Sequence, residues 1–356
     1  MIKPWLWLPP KLAHDLSPFG LKVFSRLPRG ADSARLADWD SFCWKTSQKK
    51  ELQFINPLGI AGGLDKNALS ILDWQKLGCG FLEIGTVTPI PQSPNSGKIM
   101  DRDIKTQSLW NKMGFPSDGA DVVLKNIETV RHSGKLKIPL FINLGKNRVT
   151  SNENAHLDYN KLMTHFQNAA DAFVVNISSP NTTGLRNLAK SESFKPFLAA
   201  LSTHHQALTN KPPLLLKLSP DLNEADFSDL MHTCLNYGID GFILTNTTTT
   251  REGTPFFPLE GGVSGKPLQN LSLKALESAS KICSSEKSKK IIISTGGVMT
   301  AADVFERIER GADLVQVYST LIFEGPLFFR KVAKVAEQRE QKSRSQNFGS
   351  NETSSR

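Results

Sequence analysis

The residues best suited to chemistry stand in one polar run, Asn176-Ile177-Ser178-Ser179-Pro180-Asn181-Thr182-Thr183-Gly184-Leu185-Arg186. It follows Ala172-Phe173-Val174-Val175, an apolar stretch that reads as a buried strand. The polar run itself is loop chemistry. A serine or threonine hydroxyl in such a loop is a poor base unless something activates it. Elsewhere Lys217 closes the apolar run Leu214-Leu215-Leu216. Burying an ammonium there is costly unless it meets an anion. A second cation, Lys66, follows the glycine-rich Gly59-Ile60-Ala61-Gly62-Gly63, where absent side chains let a ligand approach the backbone. Late in the chain come Gly261-Gly262-Val263-Ser264-Gly265, then Gly296-Gly297, then Tyr318-Ser319. Each Gly-Gly can be a plain tight turn. Two of them at the ends of successive late strands favour a phosphate, held by free N–H groups and a helix start.

These residues recur at the ends of apolar runs, so the elements that must position them are strands. The runs fall near 56–61, 80–85, 139–143, 172–176, 213–218, 240–245, 290–294 and 313–317. Eight strand–helix alternations predict an α/β fold, a (β/α)8 barrel of the TIM type, with its reactive groups at the strands' C-terminal ends. Segment 86–138 exceeds one plain unit and carries Pro89, Pro91, Pro94 and Gly97, which predicts an insertion over the barrel mouth.

The spacing divides the chain into an N-terminal helical segment (1–45), the barrel (46–338) and a polar tail (339–356) expected to be disordered. Within the first segment, two helices are expected, at 10–16 and 18–28, with Pro18 between them and Ser17 as a cap. Phe19, Val23, Phe24 and Leu27 form a stripe flanked by Lys22, Arg26 and Arg29. Four of the six tryptophans precede residue 45. This pattern fits a helical cap packed on the barrel, a surface at a membrane interface, or one face on each.

Composition bounds the rest. The 356 residues are 39% hydrophobic and 22% charged, enough for a full core. Net charge of +9 allows nucleic acid, anionic membrane or small anions as partners. It is spread along the chain without an aromatic–basic recognition module, and no nucleic-acid partner is expected. Cys43, Cys79, Cys234 and Cys283 lack metal or redox spacing, so reduced thiols and no metal site are expected. No apolar run is long enough to span a bilayer, and no signal or transit peptide is evident at the start.

The motifs NPLGIAGGLDKN, EIGTVTP, NKMGF, NLGKN, NISSPNTTGLR, TNTT, GGVSGKPL and QVYS, in this order from about residue 10 to 335, resemble the dihydroorotate dehydrogenases, specifically the quinone-linked, membrane-associated class. That resemblance implies FMN at the barrel mouth, bound by Ala61, Gly62, Lys66, Thr86, Asn143, Asn176, Lys217, Thr245, Gly265, Gly297, Tyr318 and Ser319. It implies dihydroorotate, the precursor of orotate, stacked on the flavin and held by Lys66, Asn111, Lys112, Met113, Gly114, Phe115, Asn176, Asn181, Asn246 and Thr247. Ser179 matches the base, Thr182 a relay to it, and Lys217 the cation at the flavin's pyrimidine edge. His14 and Arg102 match polar residues of a quinone tunnel. The implied acceptor is ubiquinone or menaquinone, and the implied place is the cytoplasmic face of a bacterial membrane, peripherally bound.

The sequence departs from the family pattern at Lys112, usually Arg, and at Ile90, usually basic. Asp101-Arg102 replaces Phe-Arg, which predicts an ion pair that makes the tunnel more polar. Ser294-Thr295 replaces smaller, more apolar residues. Other FMN barrels, such as dihydrouridine synthases, use a Cys acid in the active loop, where this chain has none. A barrel that has lost catalysis and serves as a scaffold is the non-enzymatic alternative, and Ser179, Lys217, Asn111 and Asn246 together argue against it.

Overall fold

The computed structural model describes residues 3–26, 39–46, 50–182, 184–189 and 192–352, with side chains through 344. A hairpin, β1 (Phe42–Lys45) and β2 (Glu51–Phe54), precedes β3 (Leu58–Ile60) and β4 (Phe81–Val87). An excursion then carries β5 (Met100–Asp103) and β6 (Ser108–Asn111). Next come β7 (Leu140–Leu144), β8 (Ala172–Asn176), β9 (Leu214–Leu218) and β10 (Gly241–Leu244), and last β11 (Gly262–Gly265), β12 (Ile291–Thr295) and β13 (Leu314–Val317). Eight of these close a parallel barrel in the order β10-β12-β13-β3-β4-β7-β8-β9. All eight lie where the apolar runs predict them.

Strand alternation builds the site. One buried layer inside the barrel consists of Phe81, Phe141, Val174, Leu215, Ile243, Ile293 and Leu314. The hairpin adds Trp44, Leu52 and Phe54 to the same cluster and plugs the barrel floor. Side chains two residues apart on a strand share a face. The next inward layer is therefore Glu83, Asn143, Asn176, Lys217, Thr245, Thr295 and Gln316, all buried. An apolar layer carries a polar one, and the polar one faces the mouth.

Over that mouth stands the insertion predicted for 86–138. Its β5 and β6 pair antiparallel, and β11 joins β6 with Gly262 opposite Asn111. The N-terminal helix, Pro10–Phe24, packs against β5 and against the helix Ile71–Lys76.

Three expectations need correction. The N-terminal segment forms one helix that passes through Pro18 rather than two. Pro18 has no N–H to donate to the carbonyl of His14, and the Ser17 hydroxyl takes its place at 2.7 Å. Ser17 thus repairs the middle of a helix instead of capping a new one. Residues 27 and 28, and Arg29, lie outside the described residues. The tail expected to be disordered from 339 is instead helical as far as Glu352, within the helix Phe328–Glu352. Buried Phe328, Phe329 and Val332 anchor its start, and its Glu, Gln, Lys and Arg residues are good helix formers. Arg339 sits 4.5 Å over the Phe305 ring, and Arg344 pairs with Glu340 at 2.5 Å. Lastly, Asp101 does not pair with the Arg102 guanidinium but with Lys98, at 2.5 Å.

Candidate active site

The polar layer is bonded into one network. Asn176 stands beside Lys217 in the β8–β9 register. Lys217 Nζ donates to both carboxylate oxygens of Glu83, at 2.9 and 3.2 Å, and Asn143 donates to the same carboxylate. Glu83 is therefore the anion that the burial of Lys217 demands. Asn176 Nδ2 donates to Thr86 Oγ1 at 3.1 Å and to Asn143 Oδ1 at 3.2 Å. Its Oδ1 accepts from Ser178 Oγ and Asn246 Nδ2, while its backbone carbonyl accepts the buried Tyr159 hydroxyl. The amides of Asn143 and Asn176 are thus fixed in orientation by their neighbours.

Above the layer lies a cavity of about 1110 Å³ that runs from these strand ends to the N-terminal helix. Ala61, Gly62, Thr86, Asn176, Lys217 and Thr245 line its base, and Gly297, Tyr318 and Ser319 line one end. Met113, Gly114 and Phe115 of the insertion form its roof, with Asn111, Asn181, Asn246 and Thr247 around Ser179. Gly62 has to be glycine, because a Cβ there would come 2.5 Å from Glu83 Oε1. Four expected residues do not reach the wall. Asn143 lies beneath it, and Gly265 is packed against the carbonyl of Gln107. Lys112 turns to Glu260, at 2.8 Å. Thr182 is buried, and its hydroxyl has no partner among the described residues.

Ser179 is held by its own loop. Its Oγ accepts the Asn181 N–H at 3.2 Å, and Asn181 Nδ2 reaches Asn111 Oδ1 at 2.8 Å. Arg186 clamps this loop from outside. Its Nε donates to the Ser178 carbonyl at 2.7 Å, its Nη1 to Asp221 at 2.6 Å, and its Nη2 to the Thr247 carbonyl at 2.6 Å. One planar side chain therefore ties the Ser179 loop to the Asn246–Thr247 loop.

The other end of the cavity belongs to the N-terminal segment. Lys66 Nζ donates to the Gly63 carbonyl at 2.9 Å and meets His14 Nε2 at 2.7 Å. Burial pulls Lys66 down to about 8. Burial and the Lys66 charge hold His14 down to about 3, so it is a neutral acceptor at ordinary pH. Arg102 Nη2 donates to the carbonyls of Trp5, Leu6 and Leu8. Trp5 Nε1 in turn donates to the Ile322 carbonyl at 2.7 Å. These bonds fix the turn Pro4–Leu6 and the start of the helix against the barrel. Both His14 and Arg102 line the cavity alongside Ser179.

A family model described as dihydroorotate dehydrogenase matches residues 46–339. The chain belongs to the dihydroorotate dehydrogenase family. That match spans every expected site residue except His14. Among curated relatives, the "Dihydroorotate dehydrogenase (quinone)" of Deinococcus deserti is 38% identical over 92% of this chain and 91% of its own length. The protein of the same name from Nautilia profundicola is 36% identical, covering 92% and 88%. Among solved structures, a dihydroorotate dehydrogenase of Eimeria tenella in complex with ferulenol superposes with a TM-score of 0.80 at 32% identity, covering 91% of this chain and 90% of that one. Its ligand-free counterpart gives 0.80 at 33% identity. This family is flavin-dependent.

Two features of the site went unread in the sequence, Glu83 and Arg186. A lone acid inside the apolar run Phe81-Leu82-Glu83-Ile84 was the available signal for Glu83. Nothing local marked Arg186, because its partners lie on distant loops.

Proposed function

We propose that this chain is a quinone-dependent dihydroorotate dehydrogenase, oxidising (S)-dihydroorotate to orotate in de novo pyrimidine biosynthesis, with FMN as its flavin. The observation that carries this reading is the single cavity that holds Ser179 at one point, the Lys217–Glu83 layer below and the N-terminal helix at its far end. The wall suits FMN. Gln316 is fully buried there with neither side-chain amide atom bonded among the described residues, so it offers a donor and an acceptor to a heterocycle. The Gly296–Gly297 turn and Ser319 lie together at one end, as a phosphate needs.

FMN, when bound, supplies the hydride acceptor and passes electrons on to the quinone. The chain's own residues do the rest. Lys66 holds the substrate carboxylate, and Asn111, Asn181, Asn246, Asn176 and Thr247 hold its ring amides, with the backbone of 112–115 above. Ser179 takes the C5 proton as the hydride leaves C6. The Thr182 hydroxyl, buried and without a partner among the described residues, relays that proton through water. Lys217, held by Glu83, would stabilise negative charge at the flavin's pyrimidine edge. Closure of the loop over bound substrate would keep bulk water out.

Quinone enters from the helical end, past His14 and Arg102. No helix among the described residues is long and apolar enough to cross a membrane. The protein binds the cytoplasmic face of the cell membrane peripherally, through the outward face of Pro10–Phe24. Stopped-flow mixing of the flavin-loaded protein with dihydroorotate should bleach the flavin, and a ubiquinone analogue should restore its colour. A flavin that stays oxidised in dihydroorotate would overturn the reading; bleaching without recovery would overturn the quinone half alone.

A further inference from the structure

Behind the Gly296–Gly297 turn lies Arg307, carried by the helix Ala301–Glu309 and fully buried. Its Nη1 donates to Ser294 Oγ at 2.7 Å, and its Nη2 to Ser272 Oγ at 2.9 Å and to the Gly296 carbonyl at 2.6 Å. Its Nε has no partner among the described residues. All its bonds go to neutral oxygens. The nearby carboxylates are engaged elsewhere. Asp303 accepts the N–H groups of Met299 and Thr300 and the Gln269 amide, and Glu306 pairs with Arg310 at 2.8 Å. Burial pulls Arg307 down to about 10, which leaves it charged at neutral pH. The charges of Asp303 and Glu306 act on Arg307 through space but offset only part of the cost of its burial, and a bound anion would relieve more of it.

The Gly296 carbonyl and the Gly297 N–H belong to one peptide group. A cation bonded to that oxygen polarises the peptide and strengthens its N–H as a donor. Gly296 and Gly297 line the cavity, whereas Arg307 does not. Gly297 has φ of 72°, and a Cβ on it would come 2.4 Å from the Cα of Gln269, the first residue of the helix Gln269–Ser284. The turn is therefore pressed against the start of that helix, whose positive dipole end favours an anion. Ser272, on the same helix, donates to the Gly296 carbonyl at 2.6 Å, so helix, turn and guanidinium form one unit.

We propose that Arg307 is a positioning residue for the phosphate of FMN: through the Gly296–Gly297 peptide it orients and strengthens the donors, and its buried charge is balanced by the bound dianion. This makes the site selective for a phosphate monoester over the neutral end of riboflavin. The proposal rests on the FMN reading above. The test titrates the deflavinated full-length protein with FMN and with riboflavin, following flavin fluorescence. Arg307→Met should weaken FMN about tenfold or more, while riboflavin changes far less. Arg307→Lys should recover most of the FMN affinity. If Arg307→Met does not fold, the double variant Ser272→Ala/Ser294→Ala, which frees the guanidinium but keeps its charge, should show a smaller loss confined to FMN. Equal losses for both ligands, or none, would overturn the role of Arg307. Wild-type protein that binds riboflavin as tightly as FMN would instead overturn the FMN reading.

Discussion

At the scale of single residues, the proposed proton acceptor and the proposed substrate cation make separate predictions. Ser179→Ala removes one buried oxygen whose protein bond is the Asn181 N–H. The variant should keep its yellow flavin and fold, while reduction by dihydroorotate slows roughly 10²–10⁴-fold, the span of general-base contributions. Bleaching at the native rate would remove Ser179 from that role. Lys66 makes the second prediction. With its pKa pulled to about 8 by burial, it loses its charge as pH rises through that value. The anionic substrate then loses its partner, so kcat/KM for dihydroorotate should fall above about pH 8 with kcat less affected. Lys66→Met should abolish that inflection, and an inflection that survives the substitution belongs to another group. The residues that gather around the candidate site's cavity were mostly legible at this scale, because Ser179, Lys217 and the strand-end asparagines sit in compact motifs. Glu83, Arg186 and Arg307 were not, because each acts through partners that only the closed barrel brings near.

At the scale of elements, strands were easier to read than helices, for a physical reason. A short apolar run that recurs eight times between helical stretches fits a buried parallel strand far better than any other element. A helix boundary depends on which polar group covers a loose carbonyl, and the Ser17 hydroxyl on the His14 carbonyl settles the matter at Pro18. The tail misled similarly, since its composition suits both solvated coil and solvated helix, and the anchored start at Phe328 and Phe329 decides between them. The N-terminal helix bears on the barrel's chemistry through one bond, His14 Nε2 to Lys66 Nζ at 2.7 Å. A neutral imidazole acceptor favours the charged form of the lysine. His14→Leu removes that acceptor, so the inflection assigned to Lys66 should move to lower pH, while His14→Gln, which can still accept, should shift it less. An unmoved inflection in His14→Leu would show that helix and substrate cation are uncoupled.

At the scale of the whole molecule, the cavity and the surface converge on the same helix. Leu21 and Phe24 face the barrel core, and Ser25 Oγ bonds Asp73 at 2.5 Å. The opposite stripe, Leu12, Leu16, Phe19 and Val23, stays exposed, with Phe19 71% accessible. Lys22 and Arg26 flank it and are exposed too. An apolar stripe bordered by cations suits an anionic lipid interface, and the cavity behind it runs to the strand ends. Leu12 and Val23 belong to the stripe but not to the cavity wall, which allows surface and chemistry to be separated. Burying two such side chains is worth about 3–5 kcal/mol together. Leu12→Glu/Val23→Glu should therefore lower co-sedimentation with anionic vesicles by a hundredfold or more in affinity, roughly as that free energy requires. Reduction of the flavin by dihydroorotate should be unchanged, and turnover with a water-soluble quinone should survive better than turnover with a long-chain quinone in vesicles. Undiminished vesicle binding would move the membrane contact away from this helix, and equal loss with both quinones would mean that the stripe serves the tunnel rather than the lipid.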